Sequence, residues 1–120
     1  QLIEEKGALP GIALSPATSI ESIRYLLDNI KMVNVMAVNP GFAGRKMVPM
    51  TLQKIKDTRT MLDNLGYEHI MVEVDGNVSL NNAPLMRESG ADLFVGGSSG
   101  LFLPNVEIQK ATRDLRNCMK

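Results

Sequence analysis

An α/β fold built around a parallel sheet is the class this sequence predicts, and two observations predict it. Four short apolar runs alternate along 120 residues with four longer amphipathic ones. Repeated strand–loop–helix units lay parallel strands side by side with helices outside them. In addition, three of the four predicted strand ends run into glycine-containing loops, and the carboxyl end of a parallel sheet is where such folds bind ligands.

The elements follow in chain order. Gln1 to Lys6 reads as the last turn of a helix stopped by Gly7, a usual C-terminal stop residue. It has neither the basic opening nor the apolar core of a signal peptide, and the chain reads as beginning in mid-protein. The strands expected are Gly11–Leu14, Met32–Val38, Ile70–Val74 and Leu93–Val95, short and rich in β-branched residues as buried parallel strands are. After the first, Ser15-Pro16-Ala17-Thr18 offers turn and capping chemistry, and Ile20, Ile23, Leu26, Leu27 and Ile30 fall on one helical face. A long helix carrying Leu52, Ile55, Met61, Leu62 and Leu65 is stopped by Gly66, and another, from about Leu80 to Glu88, by Gly90. A last helix starts near Val106.

Composition narrows the function classes. Thirteen basic and thirteen acidic side chains give a formal net charge of zero, with no basic run to draw nucleic acid or an anionic membrane. No apolar stretch approaches the ~20 residues that span a bilayer. The single cysteine, Cys118, has no internal partner for a disulfide, which fits a reducing cytoplasm.

Two architectures share this rhythm, an open doubly wound sheet and part of a (β/α)8 barrel. A whole barrel takes roughly 250 residues and eight units, and four units occur here. The loops must choose. Pro40-Gly41-Phe42-Ala43-Gly44, Asp75-Gly76-Asn77 and Gly96-Gly97-Ser98-Ser99-Gly100 all follow strands. Glycine lets backbone N–H groups turn toward an anion and approach it closely. A tight turn is the bland reading of any one such loop; three on one rim favour a phosphate site.

Asp75 is the sharpest single residue. It ends an apolar strand, with Glu73 of the same parity facing the same side and Val72 and Val74 facing the helices. A carboxylate there can act as a general acid/base or a metal ligand, or more blandly as a turn or helix cap. His69, the only histidine, starts the same strand. Six residues at ~3.3 Å each place it ~20 Å from Asp75, too far to share a metal. Met36 shares parity with Asn34 and Val38. Lys54, Lys56, Asp57 and Arg59 read as a solvated helix face, and Cys118 as no nucleophile.

These segments resemble, in order, the ribulose-phosphate 3-epimerase family. Gly11–Thr18 is similar to its fifth strand and loop, and Val35-Met36-Ala37-Val38-Asn39-Pro40-Gly41-Phe42-Ala43-Gly44 to its sixth. Glu73-Val74-Asp75-Gly76 is similar to its seventh strand end, and Gly90–Ser98 to its eighth. The resemblance implies the C-terminal half of a (β/α)8 TIM barrel, strands five to eight, with residues 1–120 forming a single incomplete domain. It implies a cytoplasmic enzyme that inverts carbon 3 of a ketose phosphate, two aspartates on opposite faces exchanging the proton through an enediolate. A divalent metal ion (Zn, Fe, Mn or Co) is implied with them. Asp75 matches the family's second aspartate, acid/base and metal ligand together, and Met36 a methionine beneath the enediolate. Gly41, Gly44, Gly76, Gly97 and Ser98 match or adjoin the phosphate-gripping backbone, with Phe42, Ala43 and Asn77 in the same loops.

There are departures. Asn77 stands where the family commonly has a second glycine, and Ala43-Gly44-Arg45 where it often has Gly-Gly-Gln. Ser98-Ser99-Gly100-Leu101-Phe102 resembles the allulose-phosphate branch, so a pentulose or a hexulose phosphate fits. The first aspartate and the metal-binding histidines belong to the family's other half. This stretch is therefore expected to be inactive alone and to need either a missing N-terminal half or a second copy, as in a homo-oligomer. The competing readings are a phosphosugar decarboxylase or aldolase barrel, and a non-catalytic half-barrel that binds phosphometabolites or serves as an assembly partner.

Overall fold

A computed structural model describes residues 2–38 and 46–120. Four strands, β1 (Gly11–Leu14), β2 (Met32–Met36), β3 (Met71–Asp75) and β4 (Leu93–Val95), form one sheet in the order β1-β2-β3-β4, every pairing parallel. The helices are α1 (Leu2–Glu5), α2 (Thr51–Asn64), α3 (Asn82–Ser89) and α4 (Ile108–Cys118). The sheet is open, with β1 and β4 at its edges.

Burial alternates along the two central strands. Val33, Val35, Val72 and Val74 are wholly buried and share the core with Ile55, Leu62, Ala83 and Met86 of α2 and α3. Each such side chain contributes about 1.5–3 kcal/mol by leaving water. Met32, Asn34, Met36, Glu73 and Asp75 alternate with them and are only half-buried, while Met71 and Val95 on that same face are each 37% exposed. One face of the sheet is packed under helices; among the described residues the other is open.

Stops and caps follow the chain's punctuation. Gly7, Gly66 and Gly90 all take positive φ just beyond α1, α2 and α3, where a side chain would be strained. The Ser79 hydroxyl accepts from the Asn82 N–H at the start of α3, and Pro84 sits in that helix's first turn, where its missing N–H is tolerated.

Three expectations are corrected. The segment Ile20–Asn29 is a 3-10 helix, in which Ile23 and Leu27 are buried and Leu26 is exposed. Lys54 is not on a solvated face: its ammonium donates to the carbonyls of Ser15 (2.8 Å), Pro16 (3.1 Å) and Thr18 (2.6 Å). Arg59 likewise turns inward, donating to the Ile70 carbonyl and lying 3.7 Å from Asp92, whose carboxylate accepts from Val72 N–H. Lys56 and Asp57 are exposed as expected. Among the described residues no helix is long and apolar enough to cross a membrane.

Candidate functional site

Parallel register brings three strand ends to one level. Met36 pairs with Asp75 and Asp75 with Val95, so the carboxylate lies mid-rim on the open face, between a thioether and a valine. The β2 end is tied across by the Ala37 N–H donating to the Asp75 carbonyl at 2.7 Å.

Beyond Asp75 the chain turns sharply. Gly76 has φ +106, and a methyl group there would sit 3.2 Å from Val38 Cγ2 and 3.3 Å from Ala37 Cβ, so the turn needs both the left-handed backbone and the small residue. Asn77 follows at φ +56, a conformation that asparagine tolerates better than other side chains. Asparagine in place of a second glycine is thus compatible with this backbone. The Asn77 carbonyl accepts from the Asn82 side chain at 3.0 Å, fastening the loop to α3.

The loop after β4 closes on itself. The Gly97 carbonyl accepts from the N–H groups of Leu101 and Phe102, both at 2.9 Å, and from Gly100 at 3.4 Å. Between the two loops lies a cleft of ≈ 110 Å³ lined by Val38, Asp75, Gly76, Asn77, Val78, Val95, Gly97, Ser98 and Ser99. That volume accommodates several waters or a phosphate-sized group. Among the described residues Asp75 is the only ionisable one in its lining.

The structure therefore gathers Asp75, Gly76, Asn77, Gly97 and Ser98 into one cleft, with Met36 on the neighbouring strand beside it. Gly41, Phe42, Ala43 and Gly44 lie outside the described residues. Sequence reasoning did not single out Val38, Val78 or Val95, and Ser99 could have been found from its place in the Gly96–Gly100 loop. One layer below the rim, the Asn34 side chain donates to Glu73 Oε1 at 2.5 Å, and the buried Asn34 Oδ1 has no partner among the described residues.

Other candidates fall away from the site. His69 is exposed before β3 begins, its ring 6.0 Å from that of Tyr67. The Cys118 thiol donates to the Leu115 carbonyl, and burial pushes its pKa up, which keeps it protonated. Among the described residues no three His, Cys, Asp or Glu side chains gather as a metal would require. By themselves they do not fit a divalent ion; they offer it Asp75.

Comparison with known proteins gives the chain a family. The profile of the ribulose-phosphate 3 epimerase family matches residues 1–109. Over 99 residues, 82% of the chain, it is 42% identical to the ribulose-phosphate 3-epimerase of Bacillus subtilis and 40% identical to that of Escherichia coli. It is 37% identical over 118 residues to the protein of that name from Buchnera aphidicola. These matches cover 46%, 44% and 51% of the respective relatives, so the chain spans about half the length of the proteins it resembles.

Proposed function

The chain belongs to the ribulose-phosphate 3-epimerase family, and from that premise we propose that it supplies the C-terminal half of a (β/α)8 barrel that epimerises a ketose phosphate at carbon 3. The observation that carries this reading is the position of Asp75, a strand-end carboxylate opening into the same cleft as Gly97 and Ser98.

The half-barrel itself is supported by three features. Helices pack one face of the sheet, whereas a doubly wound sheet is covered on both. The open face carries Met36, Asp75 and Val95 at its rim, as the interior of a barrel would. Among the described residues both edge strands have unused pairing sides, and such edges want a partner. Residues 1–120 are in this reading one incomplete domain, completed by an N-terminal half-barrel or by a second copy in a cytoplasmic homo-oligomer.

Chemically, Asp75 takes the C3 proton from one face of the bound ketose, leaving an enediolate that is reprotonated from the opposite face, and in the reverse direction it delivers the proton. A second acid, outside this chain, serves the opposite face. The phosphate is gripped by neutral donors around Gly76, Asn77, Gly97 and Ser98, with Gly41, Phe42, Ala43 and Gly44 completing the rim. Met36 lies beneath the sugar as apolar floor. Asp75 is the residue that would hold a divalent ion (Zn, Fe, Mn or Co) here, and the remaining ligands would come from outside this chain.

The test is C3-proton exchange into deuterated water with ribulose 5-phosphate and allulose 6-phosphate, on this chain and on the complete protein. Exchange in the complete protein that falls about 10²–10⁴-fold in Asp75→Asn is expected for a general acid/base, and the better substrate fixes pentulose against hexulose. Phosphate binding without exchange in any form would favour the non-catalytic binding half-barrel instead.

A further inference from the structure

The two loops that line the cleft come from different strands, and no covalent link sets their separation. One contact does. A methyl group on Gly100 would lie 2.1 Å from the Val78 carbonyl oxygen, 3.2 Å from its carbon and 3.4 Å from Leu115 Cδ1. The closest atoms are backbone, so nothing can rotate aside. Gly100 is buried, and Val78 is 2% exposed, seated in the core at the end of the Asp75 loop. The Gly100 backbone thus rests directly on the Val78 backbone.

That contact reaches the cleft through a closed turn. Because three N–H groups converge on the Gly97 carbonyl, Gly97 to Phe102 moves as a unit, and whatever displaces Gly100 displaces Ser98 and Ser99. Carbon needs about 3.2 Å or more from an oxygen, so a side chain at 100 forces the turn outward by roughly 1 Å. Within the same loop, a methyl group on Gly96 would lie 3.0 Å from Leu101 Cδ2, so the turn also packs closely on the residue that precedes it.

We propose that Gly100 is a positioning residue that locks the Gly97–Phe102 turn against the Asp75–Val78 loop and so sets the width of the phosphate cleft. The proposal rests on the phosphate reading above and goes beyond it. Among the described residues of the lining the only ionisable side chain is Asp75, so the hold that these two loops have on an anion rests on neutral donors. Neutral donors hold an anion only at hydrogen-bonding distance, and a 1 Å shift breaks such a bond.

Inorganic phosphate titrated by calorimetry into the complete protein tests this, with Gly100→Ala set beside Gly90→Ala. Gly90, at φ +117, has Arg59 Cβ and Cγ each 2.9 Å from where a methyl group would go. It lies at the far end of α3, outside the cleft, so its variant loses stability without touching the lock. Gly100→Ala is expected to weaken phosphate binding about tenfold, the worth of one charge-assisted hydrogen bond, while Gly90→Ala binds as the wild type does. In turnover the loss is expected in KM, with kcat nearly unchanged, because Asp75 stays on β3. Equal phosphate affinity in Gly100→Ala and wild type would overturn the lock and leave the phosphate reading standing. A wild type that takes no phosphate would overturn both. Should Gly100→Ala fail to fold, amide exchange on the wild type decides: phosphate is expected to protect Gly76–Val78 and Gly97–Phe102 together, and protection of one loop alone would overturn the lock.

Discussion

Asn77 and Lys54 show how much a single side chain here depends on backbone it did not choose. At φ +56, Asn77 occupies a conformation that costs most L residues about 1–2 kcal/mol. Asn77→Val is therefore expected to lower the free energy of urea unfolding by that amount, whereas Asn77→Gly leaves the turn's geometry intact. Tyr67 makes a pH-dependent contribution. Its hydroxyl donates to Asp28 Oδ1 at 2.5 Å, and that bond, then burial, then the Asp28 charge push the phenol above its ordinary pKa of 10.0. The folded protein thus holds the proton more tightly than the unfolded chain does. The contribution is whole below pH 10 and is lost as pH rises through the folded pKa. Urea midpoints of wild type and Tyr67→Phe are expected to converge as pH climbs above 10. Asp75 was legible in the sequence because strand parity and an adjoining glycine fix its place without any distant contact. Lys54 was not, because its acceptors are carbonyls 36 to 39 residues away, and a lysine on an amphipathic helix looks the same whether water or backbone receives it.

At the scale of elements, α2 is the hinge between what the pattern reveals and what it hides. Its buried Ile55, Met61 and Leu62 were readable from spacing alone. Its Arg59 was not, although the guanidinium joins α2 to the carbonyl before β3 and to Asp92 before β4. Removing it strands Asp92 beside the Val72 N–H and frees the Ile70 carbonyl, so Arg59→Ala is expected to cost about 2 kcal/mol in urea unfolding. Leu62→Ala, which empties a wholly buried site, is expected to cost about 2–5 kcal/mol in the same measurement. Strand identities were legible from composition, but ends were not: β2 stops at Met36 and β3 runs on to Asp75, because pairing with a neighbour, not apolar content, decides where a strand ends. The 3-10 winding of Ile20–Asn29 left no mark in the apolar spacing, which α and 3-10 turns share over one or two repeats.

For the whole molecule, an open sheet with one bare face makes a prediction about company. If the chain is half a barrel, its isolated form is expected to bind an apolar dye and to self-associate on size-exclusion chromatography, and the complete protein to do neither; a monodisperse, dye-silent 120-residue monomer would contradict the half-barrel. Strand order carries a different consequence. Every strand lies beside the one made just before it: Gly11 beside Met32, Met32 beside Met71, Glu73 beside Leu93. Among these four strands none has to wait for a distant segment of the sheet or thread between two already joined. On the ribosome, where synthesis adds roughly 5–20 residues per second, each unit can dock on its predecessor within seconds of emerging, and the growing edge is always the newest strand. Assembly is thus a matter of accretion in the direction of translation, and a pause within one unit delays only what comes after it.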